Sequence, residues 1–294
     1  MTITHGEQPQ RKPHPRPTPG SAGYDAAFLG TSAPVPMPTK PGLIPLTYTH
    51  FTVRQDPARR MPAATAVNID GPTLVDIARG GESWALDPRL AKDQQWGAEL
   101  YSSNRLDRGH LVRRQDPLWG DQATAERANL DTFHYTVCAP QADYFNQGRE
   151  LWLGLEDYIL GHAGAHLQRL SVFSGAVFDA EDPAYRGAQI PRRFFKIGAW
   201  NAGPKNGGAL ACTGYVLDQS DGLDSVLRPG ARGAAPLGPF KTFQVPVADI
   251  AHLTGLDLGP LTAADRYSVP RGARTTLGAM ERWREIEGFN DVQL

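Results

Sequence analysis

Apolar and polar positions alternate or run together over short stretches along most of this chain, and that rhythm predicts a sheet protein with one well-marked helix. From Leu46 to Val53, apolar, aromatic and threonine residues predict a strand. Its partner is expected over Ala63 to Ile69, across a turn holding Asp56 and Pro57. Leu170 to Phe178, Phe194 to Trp200 and Leu210 to Asp218 are further β-rich runs separated by Gly, Pro and Asn. Between the two sets, Glu150 to Leu160 carries apolar residues at 151, 152, 155 and 159 with polar ones between, a helical spacing. Leu261 to Tyr267 is expected to add a strand, and a helical tail from Arg282 to close the chain. Strands on both sides of one helix predict an α+β architecture with a mainly antiparallel central sheet.

The first part of the chain breaks this rhythm. Residues 1–20 hold Pro9, Pro13, Pro15, Pro17 and Pro19 among polar groups and predict a flexible tail. An extended wrapping segment is expected over 21–42, around Gly23, Tyr24 and Asp25, and the compact domain over 43–294. No stretch is apolar for long enough to cross a bilayer, so no membrane partner is expected. The opening residues also lack the apolar core of a secretory signal. The default expectation is a cytoplasmic protein, with a non-classical route of delivery left open. With only Cys138 and Cys212, a disulfide framework is excluded, while a single bridge and two reduced thiols both stay open.

The net charge of −1 gives no argument for nucleic-acid binding from overall basicity, so charge has to be read locally. Arg105, Arg108, Arg113 and Arg114 crowd around Asp107 in the run from Arg105 to Arg114, and predict a local positive field suited to phosphates, or else a salt-bridged surface. Within it stands Asp107-Arg108-Gly109-His110. An imidazole can take a proton from water at neutral pH, an arginine can clamp phosphate oxygens, and a glycine lets backbone approach a charged ligand.

Four residues do not define a site, and the downstream context matters more. It consists of Ala139-Pro140-Gln141, then Asn146-Gln147 opening the helix that carries Leu155-Glu156. Asn146 offers a neutral oxygen to a hard divalent cation such as Mg2+, which keeps several of its waters. His162 and His166, four apart, are read as a loop because Gly161 and Gly164 oppose a helix there, and His134 as a core histidine. Gly203 to Gly208 is read as a hairpin turn, and Lys196 faces either solvent or substrate.

Taken in order, these motifs resemble the sugar-non-specific DNA/RNA endonucleases of the ββα-metal type, relatives of endonuclease G. The resemblance is close from about Asn104 to Leu160, and the flanking strands fit the family's domain. It implies a ββα-metal nuclease fold with a metal-site helix. It implies a His-Me finger in which His110 deprotonates water, Arg108 contacts the phosphate, and Asp107 supports the local turn. Asn146 would bind Mg2+, or Mn2+ in its place, with Glu156 holding waters of the ion. Gln141 and Arg60 are further candidates for substrate contact. DNA and RNA are the implied substrates, 5′-phosphate ends the implied products, and an inhibitor or immunity protein an implied partner. Neither oligomeric state nor biological role follows.

The chain departs from the family's pattern at Val137, where an asparagine is usual, and by a longer interval between Asn146 and Glu156. The second departure makes Glu150 and Asp157 fallback acids. The first supports a different reading, a nucleic-acid-binding or regulatory module with a weakened catalytic site.

Overall fold

The computed structural model describes residues 23–38, 42–143, 154–159, 161, 168–203, 209–228, 241–269 and 282–294. Asn146, Gln147, Glu150, His162 and His166 lie outside these residues, as do 1–22 and 204–208.

Strands β1 (Ile44–Tyr48), β2 (Phe51–Asp56), β3 (Met61–Asp70), β4 (Leu106–His110), β5 (Cys138–Ala142), β6 (Arg169–Val177), β7 (Arg193–Asn201), β8 (Leu210–Asp218), β9 (Lys241–Val245) and β10 (Arg284–Glu285) carry the fold. Eight of them form one antiparallel sheet in the order β10-β9-β8-β7-β6-β3-β2-β1. Each strand of this sheet pairs with the sheet's next strand along the chain, and of the ten strands named only β4 and β5 intervene, between β3 and β6. There the chain leaves the sheet, builds the β4–β5 ribbon, helix α1 (Gln122–Asp131) and the helical residues 154–159, and returns. The motif-bearing segment is thus a single excursion seated on one face.

Period-two alternation sorts the strand side chains between the two faces. Val67, Ile69, Leu170, Val172, Phe194 and Trp200 pack with Leu111, Val137, Ala139, Leu155 and Ile159 of the excursion. Ala64, Ala66, Phe173, Phe195, Ile197 and Ala199 point the other way, against Tyr24, Leu29 and helix α2 (Val247–Thr254). Both faces are covered, which is why these strands read as nearly continuous apolar runs.

The sequence-predicted strands after residue 168 are β6, β7 and β8, and β7 and β8 pair up to Asn201↔Leu210 around the expected hairpin turn. Within the segment expected to wrap the domain, residues 23–33 are tied to the sheet by hydrogen bonds. Tyr24 N donates to Thr52 Oγ1 (3.1 Å) and its hydroxyl to Ala33 O (2.6 Å), while Asp25 N donates to Asn68 Oδ1 (2.7 Å).

Three expectations are corrected. The run Leu46 to Val53 is not one strand but parts of β1 and β2, folded back at Thr49 and His50. His50 adopts φ 66°, held there by Pro117 O at 2.8 Å from Nδ1 and by stacking on Trp119 at 3.4 Å. Leu261 to Tyr267 forms no strand. It begins in a 3-10 turn, Gly259–Leu261, and meets the sheet at Cys212, through the isolated bridge of Asp265 and through Cys212 Sγ donating to Leu261 O (3.0 Å). The chain from Arg282 is not a helix: Arg284–Glu285 adds β10 to the edge of β9, and Phe289 stacks on Tyr158 at 5.1 Å. An open sheet edge and an aromatic partner outweigh helix propensity there.

Cys138 and Cys212 are both buried and free, so they form no bridge with each other. Burial raises the Cys138 thiol to about 12, which leaves it protonated and unreactive.

Candidate active site

The site is built on the antiparallel ribbon of β4 and β5, registered as Asp107↔Gln141, Arg108↔Pro140, Gly109↔Ala139 and His110↔Cys138. Leu111 N donates to Val137 O (2.9 Å), extending the pairing past His110. Alternation puts Leu106, Arg108 and His110 on one face of the ribbon and Asp107 and Gly109 on the other. Leu106 anchors the first face in a cluster with Tyr101, Tyr135 and Cys138. Arg108 is exposed and His110 half-buried.

Trp84, which the sequence did not single out, orders this face. Its indole lies 4.8 Å from the His110 ring and 5.6 Å from the Arg108 guanidinium carbon, and Phe133 meets His110 edge-on at 5.5 Å. Backbone bonds fix the tryptophan. Ala85 N donates to Phe133 O (3.0 Å) and Tyr135 N to Ala85 O (2.9 Å). Tyr48 ties the same region down from the sheet, its hydroxyl 2.5 Å from Asp87 Oδ2 and 2.6 Å from Thr136 Oγ1.

Of the two readings of the arginine run, the salt-bridged surface holds for Arg105 and Arg113. Arg105 pairs with Asp143 at 2.9 Å, and Arg113 grips Asp157 through two bonds of 2.8 and 2.9 Å. Arg114 donates to Asn129 Oδ1 and Ile77 O. Arg108 is the one of these left over an aromatic face beside His110. Arg60 is also committed: its guanidinium lies 3.6 Å from the Trp96 ring and donates to the carbonyls of Gln95 and Lys92. Gln141 is buried with Nε2 lacking a hydrogen-bond partner among the described residues, and its side chain fills the space over Gly109 on the ribbon face away from His110.

Glu156 belongs to a second, buried group. Its Oε1 accepts from Lys196 Nζ at 2.5 Å, with both side chains almost fully enclosed. Asp116 is beside it: burial, and then the Glu156 carboxylate, push the Asp116 carboxyl well above the usual range. Lys196 therefore faces neither solvent nor open cleft. Asp157, a fallback acid, is exposed and taken by Arg113. Val137 is fully buried in the core between ribbon and sheet, a place where a polar side chain would meet only apolar neighbours.

A divalent cation implied by these motifs can be tested against the donors present. Glu156 Oε2 is buried without a hydrogen-bond partner among the described residues. An oxygen in that state fits a group that brings its own donors, as the water shell of a hard cation does. Asn146 lies outside the described residues.

The sequence profile of the DNA/RNA non-specific endonucleases matches residues 30–265. The chain belongs to that family. Endonucleases of this family are metal-dependent in general. A Sinorhizobium fredii (strain NBRC 101917 / NGR234) protein, "Uncharacterized protein y4fB", is 40% identical over 293 residues, covering 91% of this chain but 43% of that protein. The chain thus spans less than half the length of this relative. Among solved structures, the EndoG/EndoGI complex contains a chain that superposes with a TM-score of 0.54 at 17% identity, over 74% of this chain and 86% of that one. The fold of this family member is therefore the ββα-metal nuclease fold.

Proposed function

We propose that this chain is a magnesium-dependent endonuclease that hydrolyses phosphodiester bonds of DNA and RNA with little sequence preference, leaving 5′-phosphate ends. The observation that carries this reading is the pairing of Arg108 and His110 on one face of the ribbon, both in contact with Trp84.

His110 is the general base. A half-buried imidazole at the end of β4 can accept a proton from water and direct the resulting hydroxide at a phosphorus. Arg108, exposed and without a carboxylate ion pair among the described residues, grips phosphate oxygens. Asp107, across the ribbon's edge, supports the strand and takes no proton. Asn146 would hold the ion directly and Glu156 its waters; when bound, the ion neutralises charge on the phosphate and the departing 3′ oxygen. Manganese would serve in its place. Reading by phosphate contacts rather than base edges accounts for indifference to sequence and sugar.

Because the fold matches a nuclease solved with its inhibitor, an inhibitory protein covering this face is the partner we propose beside the nucleic acids. No helix among the described residues is long and apolar enough to cross a membrane.

The test is cleavage of supercoiled plasmid and of structured RNA with Mg2+, with and without EDTA, followed by end-group mapping. Loss of both substrates, arrested by EDTA and yielding 5′-phosphates, is expected. Retardation in a gel without cleavage in Mg2+ or Mn2+ would favour the weakened, binding-only module instead.

A further inference from the structure

We infer that Lys196 is a positioning residue of this active site, holding Glu156 by Oε1 so that Oε2 is left to serve the cation's water shell. The inference rests on the nuclease reading and deepens it.

Its basis is how β7 meets the helical residues 154–159. Phe194 and Trp200 face the excursion, and Lys196 and Gly198 share that face by alternation. Gly198 has no side chain, and a Cβ there would lie 2.6 Å from Ile159 Cδ1. The missing side chain lets the helical turn seat directly on the strand. Glu156, one turn before Ile159, then comes down over Lys196, and the two close to 2.5 Å. Lys196 and Glu156 are enclosed, with side-chain exposures of 6% and 2%.

A pair made only for structure would be expected to engage both carboxylate oxygens, because an unpartnered buried oxygen is costly. Here Oε2 is buried and has no hydrogen-bond partner among the described residues. Asp116 Oδ2, in the same group, is in the same condition, although Asp116 Oδ1 lies 3.9 Å from Arg113 Nη1, whose shorter bonds go to Asp157. Such an arrangement leaves the second oxygen of Glu156 in a fixed direction with a hydrogen bond still to accept. A cation with its waters supplies the donors.

Lys196→Met, Lys196→Arg, Glu156→Gln and the Lys196→Met/Glu156→Gln double variant of the full chain separate positioning from packing. Melting without metal, Mn2+ affinity by calorimetry, and kcat and KM on DNA are the readouts. Lys196→Met is expected to weaken Mn2+ binding and lower kcat, each by about 10–100-fold, with KM little changed. The double variant is expected to fold and to be no worse than Glu156→Gln alone, because Lys196 acts through Glu156. Lys196→Arg keeps the charge but offers a fork that takes both oxygens, so it is expected to melt like the wild type and still lose Mn2+ affinity. Wild-type Mn2+ affinity in a folded Lys196→Met or Lys196→Arg variant would overturn the inference. So would absence of Mn2+ binding by the wild type. A wild type that binds Mn2+ but cleaves nothing would sink the nuclease reading alone, since the affinity comparison would still decide the role of Lys196.

Discussion

The Trp84 indole and the His110 imidazole lie 4.8 Å apart at a tilt of 49°, and the same indole carries the Arg108 guanidinium at 5.6 Å. One side chain from an irregular segment therefore sets the direction of both groups that would meet the phosphate. Truncating it should damage catalysis more than folding.

Trp84→Ala is expected to lower kcat by about 10–100-fold through misplacement of His110, with a stability loss on the order of 1 kcal/mol from the lost aromatic contacts. Trp84→Phe should recover most of the rate. Steady-state kinetics beside a urea melt checks both; equal loss of rate in the two variants would show that the ring does not hold the imidazole.

Gly109 allows the close approach of Gln141. A methyl group there would overlap Gln141 Cδ, Oε1 and Cγ, and Gln141 is itself buried. Gly109→Ala is expected to cost about 1–3 kcal/mol by overpacking and to lower activity by shifting β4. A denaturation midpoint equal to that of the wild type would contradict this geometry.

Val137 is fully buried between ribbon and sheet. Restoring the family's usual residue by Val137→Asn should therefore destabilise by roughly 2–4 kcal/mol, from lost packing plus an unsatisfied amide, and should not raise the cleavage rate. A faster enzyme of unchanged stability would show that the asparagine reaches the site.

Much of this was legible in the sequence because its signals are local. β-rich runs at Phe194 to Trp200 and Leu210 to Asp218 give the central strands, and Asp107 to His110 marks the ribbon. What was hidden depends on partners distant in the chain. Trp84 sits in a stretch without periodicity and is placed by the backbone bonds of its neighbour Ala85 with Phe133 and Tyr135. Lys196 alternates with apolar residues, a pattern equally suited to solvent or substrate, until Glu156 is brought over it. The arginine cluster suited either a phosphate-binding field or a salt-bridged surface, because the partners Asp143 and Asp157 lie far along the chain from Arg105 and Arg113. The C-terminal strand β10 exists only because β9 offers it an edge.

The Asp87 carboxylate links Arg89 and Tyr48 beneath the site. Burial works to raise its pKa, but hydrogen bonds from Arg89 and Tyr48 prevail and hold it below the usual value. A depressed folded pKa stabilises above the unfolded value of about 4, and that contribution fades as pH falls through the folded one. Asp87→Asn is expected to cost about 2 kcal/mol at pH 7, discounted because Arg89 is 32% exposed and partly screened. Its melting temperature should fall less steeply than that of the wild type below about pH 4. Parallel curves for the two proteins would contradict the assignment.

His110 as the general base is the central claim, and single-turnover cleavage of DNA by the wild type and by His110→Ala, at saturating Mg2+, tests it most directly. The expected result is a folded variant slower by about 10²–10⁴-fold that still binds DNA. Cleavage by His110→Ala at the wild-type rate would contradict it.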